Sequence, residues 1–85
     1  MMSYKIGAVF SFDSNDSYNK TLLSVHEVAG EQTVDTVLHE PEEPTDLPLF
    51  EVVYELPTEA EAYQLSEKLA KVEGVMTSIS RTSTL

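Results

Sequence analysis

The chain has 85 residues, with fifteen Asp and Glu against five Lys and Arg, a formal net charge of −10 and no cysteine. The missing thiols exclude disulfides, thiolate metal sites and a cysteine nucleophile. A surface this poor in cations repels nucleic acid and anionic membrane, because binding either depends on neutralising phosphate with Lys and Arg. Roughly 60–65% of the unfolded surface can be buried at this size, enough for one domain with one modest core.

The charge is unevenly spread. No Lys or Arg lies between Lys20 and Lys68, and eleven of the acids, from Glu27 to Glu61, fall inside that window. Such a distribution serves solubility; it also suits a basic partner, or mimicry of the charge of nucleic acid. The opening Met-Met-Ser-Tyr-Lys lacks the apolar run of a signal peptide, and nothing approaches the ~18 apolar residues of a membrane span. A cytoplasmic protein with no membrane contact is expected.

Residues 4–12 alternate: Tyr4, Ile6, Ala8, Phe10 and Phe12 fall on one face and Lys5, Gly7, Val9 and Ser11 on the other. That is a strand with one face on the core. Asp13-Ser14-Asn15-Asp16-Ser17 is a turn cluster that offers capping side chains to the next element. Residues 19–31 place Leu22, Val25 and Val28 or Ala29 at helical spacing, with Gly30 as a stop. The same stretch is rich enough in β-branched residues to pair as a strand; the helix is favoured. Residues 32–39 read as a strand with Val34, Thr36 and Leu38 on one face and Val37 on the other. Residues 40–48 carry three prolines, which remove backbone donors and hold their neighbours extended, so this stretch is a stiff acidic excursion between two strands.

The clearest strand is 49–56, where Phe50, Val52, Tyr54 and Leu56 face one way and Leu49, Glu51, Val53 and Glu55 the other. Residues 57–75 read as a helix with both ends marked. Thr58 and Glu61 form a capping box, Pro57 stands before the cap, and Ala62, Leu65, Leu69 and Val72 make the apolar stripe. Gly74 supplies the left-handed stop. A last strand, 75–82, alternates Val75, Thr77 and Ile79 with Met76, Ser78 and Ser80. Strand, helix, strand, strand, helix, strand, with right-handed crossovers, predicts an α+β ferredoxin-like βαββαβ sandwich: a four-stranded, mainly antiparallel sheet with both helices on one face.

Two segments resemble the ACT-type regulatory domains over residues 22–81. One is the Leu-rich first helix, Leu22-Leu23-Ser24-Val25-His26-Glu27-Val28-Ala29-Gly30-Glu31. The other is the closing Leu65-x3-Leu69-x2-Val72-x-Gly74-Val75-x3-Ile79-x-Arg81. The resemblance implies a module that binds amino acids or other small effectors at domain interfaces, partly through the loop after the first strand. This chain has Asp13-Ser-Asn-Asp16-Ser-Tyr-Asn in place of that loop's glycine-bearing signature, so no ligand residue is carried over.

Candidate chemistry is thin. Residues 13–17 offer oxygens at alternate positions, as the start of a calcium loop does, but Tyr18 stands where glycine is needed and Ser24 where an acid is needed. No metal or cofactor site is expected. His26 and His39 adjoin Glu27 and Glu40 only in sequence, where neighbouring side chains diverge. No Gly-x-Ser-x-Gly elbow or phosphate-cradling glycine loop occurs, and no catalytic residue is assigned.

Two surfaces remain. The sheet face away from the helices carries Val9, Val37 and Val53, with Leu49 or Met76, among Lys5, Glu51 and Glu55, and is less polar than a solvent-facing sheet surface usually is. Glu42, Glu43 and Asp46, beside Glu40, make an acidic arm held partly extended by its prolines. The reading is a non-catalytic binding or regulatory module, ACT-like, that recognises a protein partner or small effector and works as a homodimer. The partner-binding residues are Val9, Val37, Val53, Glu42, Glu43 and Asp46. One alternative is an acidic inhibitor that covers the basic surface of a nucleic-acid-binding protein. The other is a small dimeric α+β-barrel enzyme, which needs a cavity between sheet and helices reached by His26 or Tyr63.

Overall fold

A computed structural model describes residues 2–83. Its elements take the expected order: β1 (Met2–Ser11), α1 (Asn15–Ala29), β2 (Asp35–His39), β3 (Leu49–Leu56), α2 (Glu59–Ala70) and β4 (Met76–Ser83). The strands form one sheet ordered β2-β3-β1-β4, and every neighbouring pair is antiparallel. This is the ferredoxin-like arrangement, with β1 and β3 in the centre and β2 and β4 at the edges. None of the helices is long and apolar enough to cross a membrane.

Residues 19–31 are helix, and the helix starts earlier than its apolar spacing indicates. The turn cluster is itself the cap: Ser14 Oγ accepts from Ser17 N at 3.1 Å, and Ser17 Oγ accepts from Ser14 N at 3.2 Å. This reciprocal pair satisfies donors that a first turn leaves open. Val25 is fully buried and Ala29, not Val28, completes the inner stripe, since Val28 is 37% exposed.

The second helix is shorter than 57–75. Thr58 Oγ1 accepts from Glu61 N at 3.2 Å, without the reciprocal bond from the Glu61 side chain. Beyond Ala70 the chain tightens into three-residue turns: Lys71 N donates to Lys68 O, Val72 N to Leu69 O and Val75 N to Val72 O. Gly74 takes φ 82°, as a left-handed stop requires. The stripe holds throughout, with Ala62 and Leu69 fully buried and Leu65 and Val72 packed against the core.

The core lies between the helices and the central strands, and Ile6, Ala8, Val25, Val52, Ala62 and Leu69 are all at 0% exposure. Helix α2 packs on β1, β3 and β4, whereas α1 packs on α2 and β1. Two features pin α1. At its start Tyr18 meets Phe12 and Phe50 edge-on, each with ring centroids 5.1 Å apart. At its end the Tyr54 hydroxyl donates to Gly30 O at 2.8 Å.

Strand β2 packs on β3 alone. The face expected to look at the core, with Thr36 and Leu38, is exposed, and Val37 is the one half-buried side chain of the strand. No helix reaches that far across the sheet, so the alternation is correct while the burial it normally signals is missing.

Candidate functional site

The sheet face without helices is ordered by strand register. One row runs Val37, Glu51, Val9, Met76 across all four strands, and the next runs Asp35, Val53, Gly7, Ser78. On one side of these lie His39, Leu49 and Ser11, and on the other Glu55, Lys5 and Ser80. Val9, Val37, Val53 and Leu49 are half-buried although no helix covers them, because neighbouring strands and each other's side chains shield them. Met76, at the edge, is 63% exposed.

Glu51 sits in the middle of the valines. Its Oε1 lies 3.3 Å from His39 Nε2, in the next row. Its other oxygen lies over β1, where a Cβ on residue 7 would stand 2.5 Å from Glu51 Oε2 and 2.9 Å from Ser78 Oγ. Gly7 therefore makes the space that lets the carboxylate lie flat across the sheet. Sequence reading counts Glu51 as one interleaved charge and Gly7 as an isolated glycine. The signal that joins them is the β1–β3 register, Gly7 opposite Val53 and Val9 opposite Glu51.

The acidic arm begins at the corner of this face. Its far end is tied to the residue just past β1 by a bond from Phe12 N to Pro48 O at 3.3 Å, and a turn bond runs from Asp46 N to Glu43 O at 3.1 Å. Beneath it opens a cleft of about 540 Å³ lined by His39, Glu40, Asp46, Leu47 and Leu49 among others. The structure thus brings Asp46 to the end of the valine face. Glu42 and Glu43 are exposed on the arm and do not line the cleft.

Of the two histidines, His39 pairs with Glu51, twelve residues away, and not with Glu40. The pair lies on an open surface, without the enclosure that general acid–base catalysis uses. His26 is half-buried on α1, and Tyr63 is 55% exposed on α2. Tyr63 thus points away from the sheet–helix interior, which is filled by fully buried side chains. Burial raises the Tyr54 phenol above the ordinary tyrosine value. That keeps the hydroxyl a donor to Gly30.

Two solved structures share the fold. An uncharacterized protein from Thermotoga maritima is 18% identical, with a TM-score of 0.58 over 98% of this chain and 100% of that one. The ACT domain from the GTP pyrophosphokinase of Chlorobium tepidum, determined by solution NMR, is 22% identical, with a TM-score of 0.55 over 98% of this chain and 88% of that one. The fold is therefore ACT-like as well as ferredoxin-like. No family model matches the chain, and no curated protein matches it.

Proposed function

We propose that this chain is a non-catalytic regulatory or binding module, working as a homodimer, that recognises a protein partner or small effector on its helix-free sheet face. The observation that carries the reading is the row Val37–Glu51–Val9. It is a half-buried apolar strip with one carboxylate laid into it, and the next row, His39, Leu49 and Ser11, borders a cleft under the acidic arm. Apolar area of this kind on a small domain gains from being covered, and the fixed carboxylate adds directional selectivity for a cationic or hydrogen-donating group. Val9, Val37 and Val53 supply the apolar part, and Asp46, with Glu42 and Glu43 further out, the acidic margin. The ACT-domain neighbour supports a regulatory role through shared fold alone.

Native mass spectrometry of the protein purified from its own host tests this directly. A dimer mass, with a retained small molecule or co-purifying protein, is expected. A bare monomer at micromolar concentration would remove the reading. The acidic arm favours a second reading, inhibition of a nucleic-acid-binding protein. Glu40, Glu42, Glu43 and Asp46 are all exposed, and among the described residues none forms an ion pair. Charge mimicry predicts affinity that falls steeply between low and moderate salt, whereas a small-effector site is nearly indifferent to it.

A further inference from the structure

The outer side of the helix layer is not smooth. Three hollows follow one another along the seam between α1 and α2. The first, about 300 Å³, is lined by Lys20, Ser24 and Val72 among others. The second, about 360 Å³, is lined by Val28, Lys68, Lys71 and Val72. The third, about 350 Å³, continues past Ala29 and Leu65 to Leu56 and Pro57. Val72 is common to the first two, and Val28 and Lys68 to the last two, so the hollows form one groove. Its floor is apolar: Val28 is 37% exposed, and Ala29, Leu65 and Val72 are half-buried.

The walls carry the charge that this chain otherwise lacks. Three of its five Lys and Arg, namely Lys20, Lys68 and Lys71, line the groove. All three are exposed, and with fifteen Asp and Glu in the chain none of them forms a salt bridge among the described residues. The helix dipole accounts for lysines near the end of α2. It does not account for Lys20, in the second turn of α1, which gains nothing from it. Acids line only the two ends, Glu73 in the first hollow and Glu61 in the third, and the middle hollow has none.

An apolar floor between cationic walls selects an occupant with an apolar stripe and acidic flanks. Lysine suits such walls, since its aliphatic stem extends the floor while the ammonium stays in water. Shape decides the class of occupant. The groove follows two helices and is open along its length, so it takes a chain segment in preference to a small molecule, which binds by enclosure. A nucleic-acid backbone or an anionic bilayer needs a broad cationic surface, and this groove has acids at both ends. A second copy meeting the same face about a two-fold axis would set lysines against lysines.

We propose that the α1–α2 groove docks an acidic amphipathic helix of a partner protein. The apolar stripe of that helix lies on Val28, Leu65 and Val72, and its carboxylates meet Lys20, Lys68 and Lys71. The groove is on the helix side of the sheet and the row Val37–Glu51–Val9 on the other, so the two surfaces stand or fall separately.

NMR titration of the full chain tests this, at about 0.15 M salt, where screening confines charge effects to roughly 8 Å. The probe is a synthetic helix of about 18 residues, or five turns, with Leu at helical spacing flanked by Glu. A control peptide carries Lys in place of every Glu. The Glu peptide is expected to shift the signals of Val28, Lys68 and Lys71 and to leave those of Val9 and Val37 in place, while the Lys peptide leaves the groove unmoved. The variant Lys20→Gln/Lys68→Gln/Lys71→Gln changes exposed residues only. It should weaken binding of the Glu peptide about tenfold, with an unchanged circular dichroism spectrum. Val28→Ser should weaken it about threefold through lost apolar contact. Silence of the groove signals at millimolar peptide overturns the proposal, as does equal response to both peptides or undiminished binding by the triple variant. Shifts centred on Val9 and Val37 move the site to the other face. Decanoate filling the groove where the peptide does not makes it a small-amphiphile site, and movement of the same signals with protein concentration alone gives it to a second copy; each result overturns the partner helix.

Discussion

The β4 side and the β2 side of this sheet share the two-residue alternation of a strand and have unlike surroundings. On the β4 side α2 lies on the sheet, Leu69 is fully buried and Ser66 is bonded to Thr77. On the β2 side no helix arrives, and four of five strand residues are exposed. Alternation of apolar and polar residues marks a strand in both places. Only the reach of the helices decides whether the apolar face contributes to stability.

The largest test of this contrast is a matched pair of truncations. Leu69→Ala removes a fully buried side chain under α2 and is expected to cost 2–5 kcal/mol, about the usual range for such cavities. Leu38→Ala, at a position 53% exposed on β2, should stay within about 0.5 kcal/mol. Urea denaturation of both, with equal m-values, measures the difference. Similar losses would mean that β2 is covered after all.

A smaller effect concerns a hydrogen bond that ties the end of α1 to β3. Tyr54→Phe should cost about 1 kcal/mol through the unpaired Gly30 carbonyl. It also carries a pH signature. Below the ordinary tyrosine value of about 10 both folded and unfolded forms are protonated, and the stabilising share is complete. As pH rises past that value the unfolded phenol ionises first, because burial holds Tyr54 higher. Stability is then lost with rising pH, and the Phe variant should lack this share of the alkaline loss. Thermal melts from pH 8 to 11 read it out. On the opposite flank Ser66→Ala breaks a part-buried side-chain bond and should cost about 0.5–1 kcal/mol with no alkaline signature.

A small stability effect is also expected on the open face. Gly7→Ala pushes only against Glu51 and Ser78 side-chain atoms, which can swing away. Stability should change by less than about 1 kcal/mol. The measurable consequence is the loss of the Glu51–His39 contact, seen as a shift of the His39 ring signals in NMR. Unmoved signals would show that Gly7 has no part in placing the carboxylate.

The order of elements is legible because each strand repeats every second residue and each helix every third or fourth. The span 49–56 matches β3 residue for residue. The start of α1 is obscured because Ser14 and Ser17 cap by hydroxyl bonds that composition alone also assigns to a turn. Spacing gives Glu61 a reciprocal cap, but spacing states that a bond can form and not that it does. The open face is legible as a set of residues, since alternation sorts sides. Its organisation is not: which residue faces Glu51, and why Gly7 lies beside its carboxylate, depend on cross-strand register, a long-range property.

The bond from Phe12 to Pro48 means that the acidic arm is anchored at both feet, by β2–β3 pairing at His39 and Leu49 and, at Pro48, by the residue that follows β1. Between those feet the chain carries no register, so its length is a free variable: doubling a loop adds only about 0.6 kcal/mol of closure entropy. Residues 43–44 are thus a natural site for grafting a peptide epitope or fluorophore tag, on a tether that leaves the sheet undisturbed.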